Sequence, residues 1–538
     1  MKMRSRRGFM EAGFRKQLGF WSLTAASIGG VIGSGWLFSA MYAAQAAGPA
    51  AILAWIIGGL AMLCVGLVYS ELGATRPEAG GIVRYPTYSN GTLVSSIVSW
   101  STWISYSANA PTEASAVMQY LSHFFPALYN GKSLTGLGIT FAILLMLVFV
   151  VINYFGVRLF ARVNNTITAI KVGVPLLTIV ALLATSFHPG NLNSPAAGGF
   201  APYGLAGALG AIATSGIVFA YTGFRQAIDL SGEAANPKRD VPRAVITVVL
   251  VSIVVYLLLQ IAFIGALPHS LLSHGFGSIN FKSPFANIAL LINLTWLSWI
   301  LYADSAISPT GSAIVYAASN ARVTYSMGVN RFFPKFVTRL HPKYRVPFVA
   351  LFINILLGFT LLLPLPSWHS LIAVMGSLTG FSYATGAVAV IAFRRKGLSG
   401  KDTQIRGINL IAPIAFVVSG LISYWAGWDK LSKAIILLII GIIVYFWSYF
   451  HYKKPRKDIV GGIWMLAYIF LMLICSYLGT FGGKHWIPAP WDSIVVAIMS
   501  FIIFWIGVKS ADWYMRQEKA SHYEEYMASV DENTGLPG

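Results

Sequence analysis

Apolar runs long enough to cross a bilayer follow one another along most of this chain, and no soluble architecture can bury so many. About fourteen stretches of roughly 18 to 28 residues suit a hydrocarbon core of about 30 Å. They fall near 19–46, 51–74, 93–122, 136–155, 166–187, 206–232, 242–267, 285–318, 346–364, 368–394, 407–426, 432–452, 460–480 and 490–510. Lipid supplies no hydrogen-bond partners, so each span must satisfy its own backbone, which demands helices. Composition agrees: 56% of the 538 residues are hydrophobic, 10% are charged, and the mean hydropathy is +0.67. The fold class is all-α integral membrane.

The net charge of +20 invites a nucleic-acid reading, but its distribution does not support one. Lys2, Arg4, Arg6, Arg7, Arg15 and Lys16 precede the first span, and every second loop afterwards is basic. Arg158 and Arg162 follow span four, Lys238, Arg239 and Arg243 follow span six, and Arg331, Lys335, Arg339, Lys343 and Arg345 follow span eight. Arg394, Arg395, Lys396, Lys401 and Arg406 follow span ten, and Lys453, Lys454, Arg456 and Lys457 follow span twelve. The intervening loops hold few cations. This is the positive-inside alternation, with an even number of spans and both termini cytoplasmic. The charge calls for no nucleic-acid partner. Cys64 and Cys475 lie inside apolar spans and offer neither a disulfide framework nor a metal cluster. The first apolar run is too long for a signal-peptide core, so it reads as a retained span.

Two spans carry their worst helix formers near the middle. Residues 29–38 read "GGVIGSGWLF". Each interior glycine costs about 1 kcal/mol relative to alanine. The plain explanation is close helix packing, which small residues permit. The alternative is that the helix unwinds at Gly33-Ser34-Gly35 and lines a cavity with bare amides and carbonyls. Span six repeats the pattern in "FAYTGFRQAIDLSGE", residues 219–233, with Thr222 and Gly223 among aromatics. Interruptions in spans one and six are what an inverted repeat of five plus five helices produces.

These segments resemble the amino acid–polyamine–organocation superfamily. "IGSGWLF" is similar to its first unwound segment, and "YSELGATRPEAGGIVRYP" (69–86) resembles the loop after its second helix. "NYFGVRLFARVNNTITAIK" (153–171), "FAYTGF" with "GEAANPKRDVPRAVI", and "DSAISPTGSAIVYAASNARVTYSM" (304–327) match later elements in order. "GGIVRYPTYSNG", "SPTGSAIVY" and "YWAGW" look most like bacterial aspartate:proton symporters. The resemblance implies a cytoplasmic N-terminus (1–18), a transporter core (19–400), additional C-terminal spans (401–510) and a cytoplasmic tail (511–538), in a bacterial inner membrane.

It also implies an α-amino acid held between spans one and six. The first-span contacts fall on Ile32, Gly33, Ser34 and Gly35, where amides at a helix start suit the α-carboxylate. The sixth-span contacts fall on Phe219, Ala220, Tyr221 and Gly223, where free carbonyls suit the α-ammonium. Phe219, Tyr221 and Phe224 are candidates to close the site, or else ordinary core aromatics. Arg225 follows the second break and matches a carboxylate side chain; the competing reading is an i,i+4 pair with Asp229. Carriers of basic amino acids resembling this chain tend to have an acidic residue at that place. Arg84 is a second candidate, with a topology charge or a gate pair as its other roles.

Ionisable residues inside spans are functional candidates by default. Lys171 sits where the resemblance places a proton-coupling lysine, and removed from water it can exchange its proton; the alternative is snorkelling to the interface. Glu113 lies deep in span three and can bind and release a proton. Asp304 opens the serine-rich run of span eight and can face Arg225 or Lys171. Glu71 and Glu233 end spans beside basic loops, which suits intracellular gate contacts.

The sequence thus points to secondary transport of aspartate or glutamate with protons, its partners being the amino acid, protons and the bilayer. Exchange of amino acids, or carriage of neutral ones, is possible on the same fold. No HExxH spacing and no nucleotide loop argue for an enzyme or an ATP-driven pump, and no cofactor is called for.

Overall fold

The structure, a computed structural model, describes residues 17–517 apart from 79, 156 and 345, with backbone only over 157–166. Lys2, Arg4, Arg6, Arg7, Arg15, Lys16 and Arg345, the side chains of Arg158 and Arg162, and the tail from 518 onward lie outside the described residues. Among the described residues there is no β-strand.

In chain order the helices are α1 (Phe20–Val31), α2 (Gly35–Ala47), α3 (Ala51–Thr75), α4 (Gly81–Asn90), α5 (Thr92–Ser107), α6 (Asn109–Leu121), α7 (Gly136–Tyr154), α8 (Val157–Thr185), α9 (Gly204–Thr214), α10 (Ile217–Tyr221) and α11 (Gln226–Asp229). They continue with α12 (Pro237–Gly265), α13 (His269–Leu272), α14 (Pro284–Leu291), α15 (Thr295–Val329), α16 (Phe348–Leu362), α17 (Trp368–Arg395), α18 (Ile408–Trp425), α19 (Trp428–His451), α20 (Lys457–Val460), α21 (Ile463–Leu478) and α22 (Trp491–Gln517). Nine helical segments of the described residues are long and apolar enough to cross a membrane, or ten with the bent pair in the sixth span. Their outward faces carry exposed apolar side chains such as Val180, Leu410 and Ile443, as lipid contact requires.

Small residues set the closest packing. Gly59, Gly66 and Gly73 recur every seventh position on α3 and form a strip against α12. A Cβ at each would lie 2.6 Å from Ile253, 3.3 Å from Val245 and 3.1 Å from Val241. Larger residues there would push the two helices apart, so glycine allows the near approach that membrane helices use in place of a hydrophobic driving force.

The first break falls where the sequence places it. α1 ends at Val31, Ile32 leaves helical geometry (φ −85°, ψ 82°), and α2 starts at Gly35. The second break differs from expectation. Span six bends by 47° between α9 and α10, at Ser215-Gly216, before the expected position. Gly216 takes a positive φ of 86°, and a Cβ there would also press on Trp368 at 2.8 Å. Residues Thr222–Arg225 do leave the α-helix, but as a tight 3-10 turn. Gly223 is glycine because its Cα lies against the backbone of Gly30 and Val31, leaving no room for a side chain. Close packing and interruption, posed as alternatives from sequence, therefore occur together in span six.

Candidate functional site

The two interrupted segments meet inside the bundle. A Cβ on Gly35 would lie 3.2 Å from Ala220 and 3.4 Å from Phe219, so the start of α2 rests directly on α10. Ile32, Gly33, Ser34, Gly35, Phe219, Ala220, Tyr221, Gly223 and Arg225 are all buried, and the fold brings them to one region.

Around the first break the exposed backbone is already engaged. The Ser34 amide donates to Glu113 Oε2 at 2.7 Å, and the Trp368 indole Nε1 donates to Ser34 Oγ at 2.7 Å. Lys171 Nζ donates to the Gly29 carbonyl at 2.6 Å, and the Tyr256 hydroxyl donates to the Val31 carbonyl at 2.8 Å. Side chains from four other helices thus engage the polar groups of this segment, as a buried break requires. Lys171 is fully buried and reaches into the protein, so it does not snorkel. Its acidic neighbours are Glu113 and Asp304. Among the described residues Asp304 forms no ion pair with Arg225 or Lys171; it accepts from Ser308 at 2.8 Å through Oδ1, and its Oδ2 is unpartnered.

Around the second break Thr222 Oγ1 donates to the Phe219 carbonyl at 2.7 Å and lies 2.7 Å from the Tyr316 hydroxyl. Tyr221 turns away, donating to the Trp55 carbonyl of α3 at 3.2 Å, and Phe224 packs toward Tyr383. These two aromatics are core residues in this conformation. Phe219 is different: it meets Trp368 edge to face at 6.1 Å, within a cluster where Phe38 and Tyr42 stack on the same indole.

Arg225 is fully buried, yet none of its three guanidinium nitrogens has a hydrogen-bond partner among the described residues. Its charge faces the rings of Tyr106 at 4.2 Å, Tyr383 at 5.5 Å and Tyr316 at 5.8 Å. The alternative i,i+4 pair with Asp229 is not made at hydrogen-bond distance: the Tyr106 hydroxyl donates to Asp229 Oδ2, and Asp229 Oδ1 is buried without a hydrogen-bond partner among the described residues, close enough to act on the Arg225 charge. Cation–π contact and the nearby Asp229 carboxylate offset part of the cost of burying this guanidinium.

Glu71 and Glu233, which the sequence suggested as intracellular gate contacts, are both ion-paired. Arg394 engages Glu71 through two nitrogens at 2.6 Å each, and the Ile405 amide adds a bond of 2.8 Å. Arg322 meets Glu233 at 2.6 Å and Arg84 meets Glu78 at 2.8 Å. Sequence reading missed Trp368, Tyr106, Tyr316 and Ser312. Ser312 and Tyr316 lie in the SPTGSAIVY motif without being given a role, Tyr106 and Trp368 stand in runs with nothing to mark them, and only tertiary packing brings the four to the breaks.

A bundle of apolar helices with two interrupted segments meeting at buried charges defines a multi-pass α-helical membrane transporter. The chain belongs to the amino acid permease family, within the amino acid–polyamine–organocation superfamily, and the family profile matches residues 18–508. It is 40% identical over 510 residues to the glutamate/serine transporter AimA of Bacillus subtilis, covering 92% of this chain and 94% of the relative. It is 34% identical to the aspartate-proton symporter of the same organism, covering 92% and 96%. The branched-chain amino acid permease BcaP, also from that organism, is 25% identical over 81% of this chain and 93% of its own length.

Proposed function

We propose that this protein imports an acidic amino acid, aspartate or glutamate, together with protons across a bacterial inner membrane. The observation that carries the reading is Arg225: a buried guanidinium, unpartnered among the described residues, two residues after Gly223 and beside the meeting point of the interrupted helices. A cation so placed disfavours basic substrates and rewards a side-chain carboxylate. The names of two relatives, a glutamate/serine transporter and an aspartate-proton symporter, support the substrate class and the coupling.

In this reading the chain crosses the membrane fourteen times with both termini in the cytoplasm. Residues 19–400 form a five-plus-five inverted repeat, 401–510 add further spans, and segments 1–18 and 511–538 are cytoplasmic. Ile32, Gly33, Ser34 and Gly35 receive the α-carboxylate, the backbone carbonyls at Phe219, Ala220, Tyr221 and Gly223 the α-ammonium, and Arg225 the acidic side chain. Lys171, Glu113 and Asp304 form the proton-coupling group. A bundle of spans one, two, six and seven rocks against the rest, opening the site to one side at a time.

The serine in the name of one relative favours a second reading, a proton-coupled carrier that also takes small neutral amino acids. Uptake of radiolabelled aspartate, glutamate, serine, leucine and arginine into proteoliposomes separates the possibilities. Symport of acidic substrates predicts accumulation of aspartate or glutamate in empty vesicles under an inward proton gradient. Uptake only into preloaded vesicles makes the protein an exchanger, and serine uptake without acidic uptake overturns the role of Arg225.

A further inference from the structure

The group that the first break offers to a substrate α-carboxylate is held, in this structure, by a carboxylate of the protein itself. Glu113 lies on α6, is fully buried, and places Oε2 2.7 Å from the Ser34 nitrogen at the start of α2. Its other oxygen lies against Gly33, where any side chain would collide with it and with Ser312. The Ser312 hydroxyl is buried at the same spot, against the Glu113 carboxylate. Glu113 therefore sits at the positive end of a 13-residue helix, in the geometry of a bound anion.

We propose that Glu113 is an internal stand-in for the substrate: its carboxylate and the α-carboxylate of the transported amino acid compete for the Ser34 amide, and protonation of Glu113 releases that amide. The inference rests on the reading that the first break receives the α-carboxylate. Two carboxylates cannot share one buried amide without strong mutual repulsion. A hydrogen bond to an ionised acceptor is roughly twice as strong as one to a neutral acceptor. Adding a proton to Glu113 thus weakens its hold on Ser34 and removes the repulsion in one step.

The groups facing Glu113 fit an exchange of this kind. Asn109 lies one turn earlier on α6 at 3.5 Å. Lys171 approaches from α8, Ser312 and Tyr316 from α15, and Tyr256 from α12, with Asp304 beyond Lys171. A proton taken from outside resides on a Glu113 oxygen while the substrate occupies Ser34. When the substrate leaves on the inner side, the proton follows it and Glu113 returns to the amide. One proton accompanies one carboxylate, and no bond other than O–H is made or broken.

The test is the affinity of the purified full chain for glutamate and for serine across pH. Both ligands carry an α-carboxylate, so the inference does not depend on which is the natural substrate. Competition predicts that Kd rises about tenfold per pH unit on the alkaline side of the transition, for both ligands. In Glu113→Gln the slope flattens and binding stays tight at high pH. A Glu113→Gln variant that binds with the unchanged slope overturns the inference while leaving acidic transport intact; loss of all amino acid binding in the unmodified protein overturns both. If Glu113→Gln does not fold, infrared difference spectra of the unmodified protein serve instead. Adding glutamate labelled with carbon-13 at both carboxyls must produce an unlabelled protonated carboxyl band, and its absence contradicts the proposal.

Discussion

Glu233 and Arg322 are joined at 2.6 Å across 89 residues, both almost fully buried. The backbone carbonyl of Glu233 also accepts from Gln17 and Leu18 at 2.9 Å each, so one residue ties the entry to α1, the end of span six and α15. In the proposed mechanism, in which span six rocks against the rest of the bundle with the termini in the cytoplasm, inward opening separates this pair. Removing one partner of a buried ion pair costs about 3–5 kcal/mol. Arg322→Ala is therefore expected to shift the protein toward an inward-open form. A cysteine at Ser231, buried here, should then react faster with a thiol reagent than in the parent. Exchanging the charges, Glu233→Arg with Arg322→Glu, should slow the reaction again.

Arg225→Ala is expected to weaken aspartate or glutamate transport by roughly 10- to 150-fold, the range for losing a hydrogen-bonded charge pair of about 1.5–3 kcal/mol. Serine transport should change less. Arg225→Lys should restore little, since an ammonium lacks the planar fork that the three tyrosine rings surround. Competition of unlabelled amino acids against labelled serine reads this directly, and equal loss for acidic and neutral substrates removes Arg225 from selectivity.

Lys171→Ala leaves the Gly29 carbonyl without its donor and removes the cation between Glu113 and Asp304. Uptake driven by a proton gradient should fall about tenfold or more, the effect of losing roughly 1.4 kcal/mol of coupling, while exchange of internal for external substrate persists. Both assays use the same vesicles, so a drop in both would indicate a structural role instead.

How far the sequence revealed this molecule depends on the kind of information needed. The first break was legible because Gly33-Ser34-Gly35 are poor helix formers in a place that otherwise selects good ones. The second was legible only approximately. Gly223 looked like the point of unwinding, yet it serves a backbone contact with Gly30 and Val31, while the bend lies at Ser215-Gly216. A glycine required for packing and one required for a positive φ are identical as letters. Lys171 and Glu113 stood out because charge inside an apolar span is costly. Their partners did not, because a carbonyl of Gly29 or an amide of Ser34 has no sequence signature.

The glycines of this fold supply a paired stability test. Gly223→Ala forces a methyl group into the backbone of α1 and should destabilise the protein by about 1–3 kcal/mol, as overpacking does. Gly173→Ala, inside α8 with nothing within 4 Å of its Cβ position, should be neutral or stabilising by up to about 1 kcal/mol. Thermal unfolding in detergent ranks the two variants, and the order should be the same for transport activity.

Whether the two breaks together hold an acidic amino acid is decided by a density map of the protein with glutamate bound. The ligand is expected between the two interrupted helices, its α-carboxylate on the Ser34 amide, its side-chain carboxylate on Arg225, and Glu113 withdrawn from Ser34. Glutamate bound elsewhere, or an Arg225 that still faces only Tyr106, Tyr316 and Tyr383, would refute that placement.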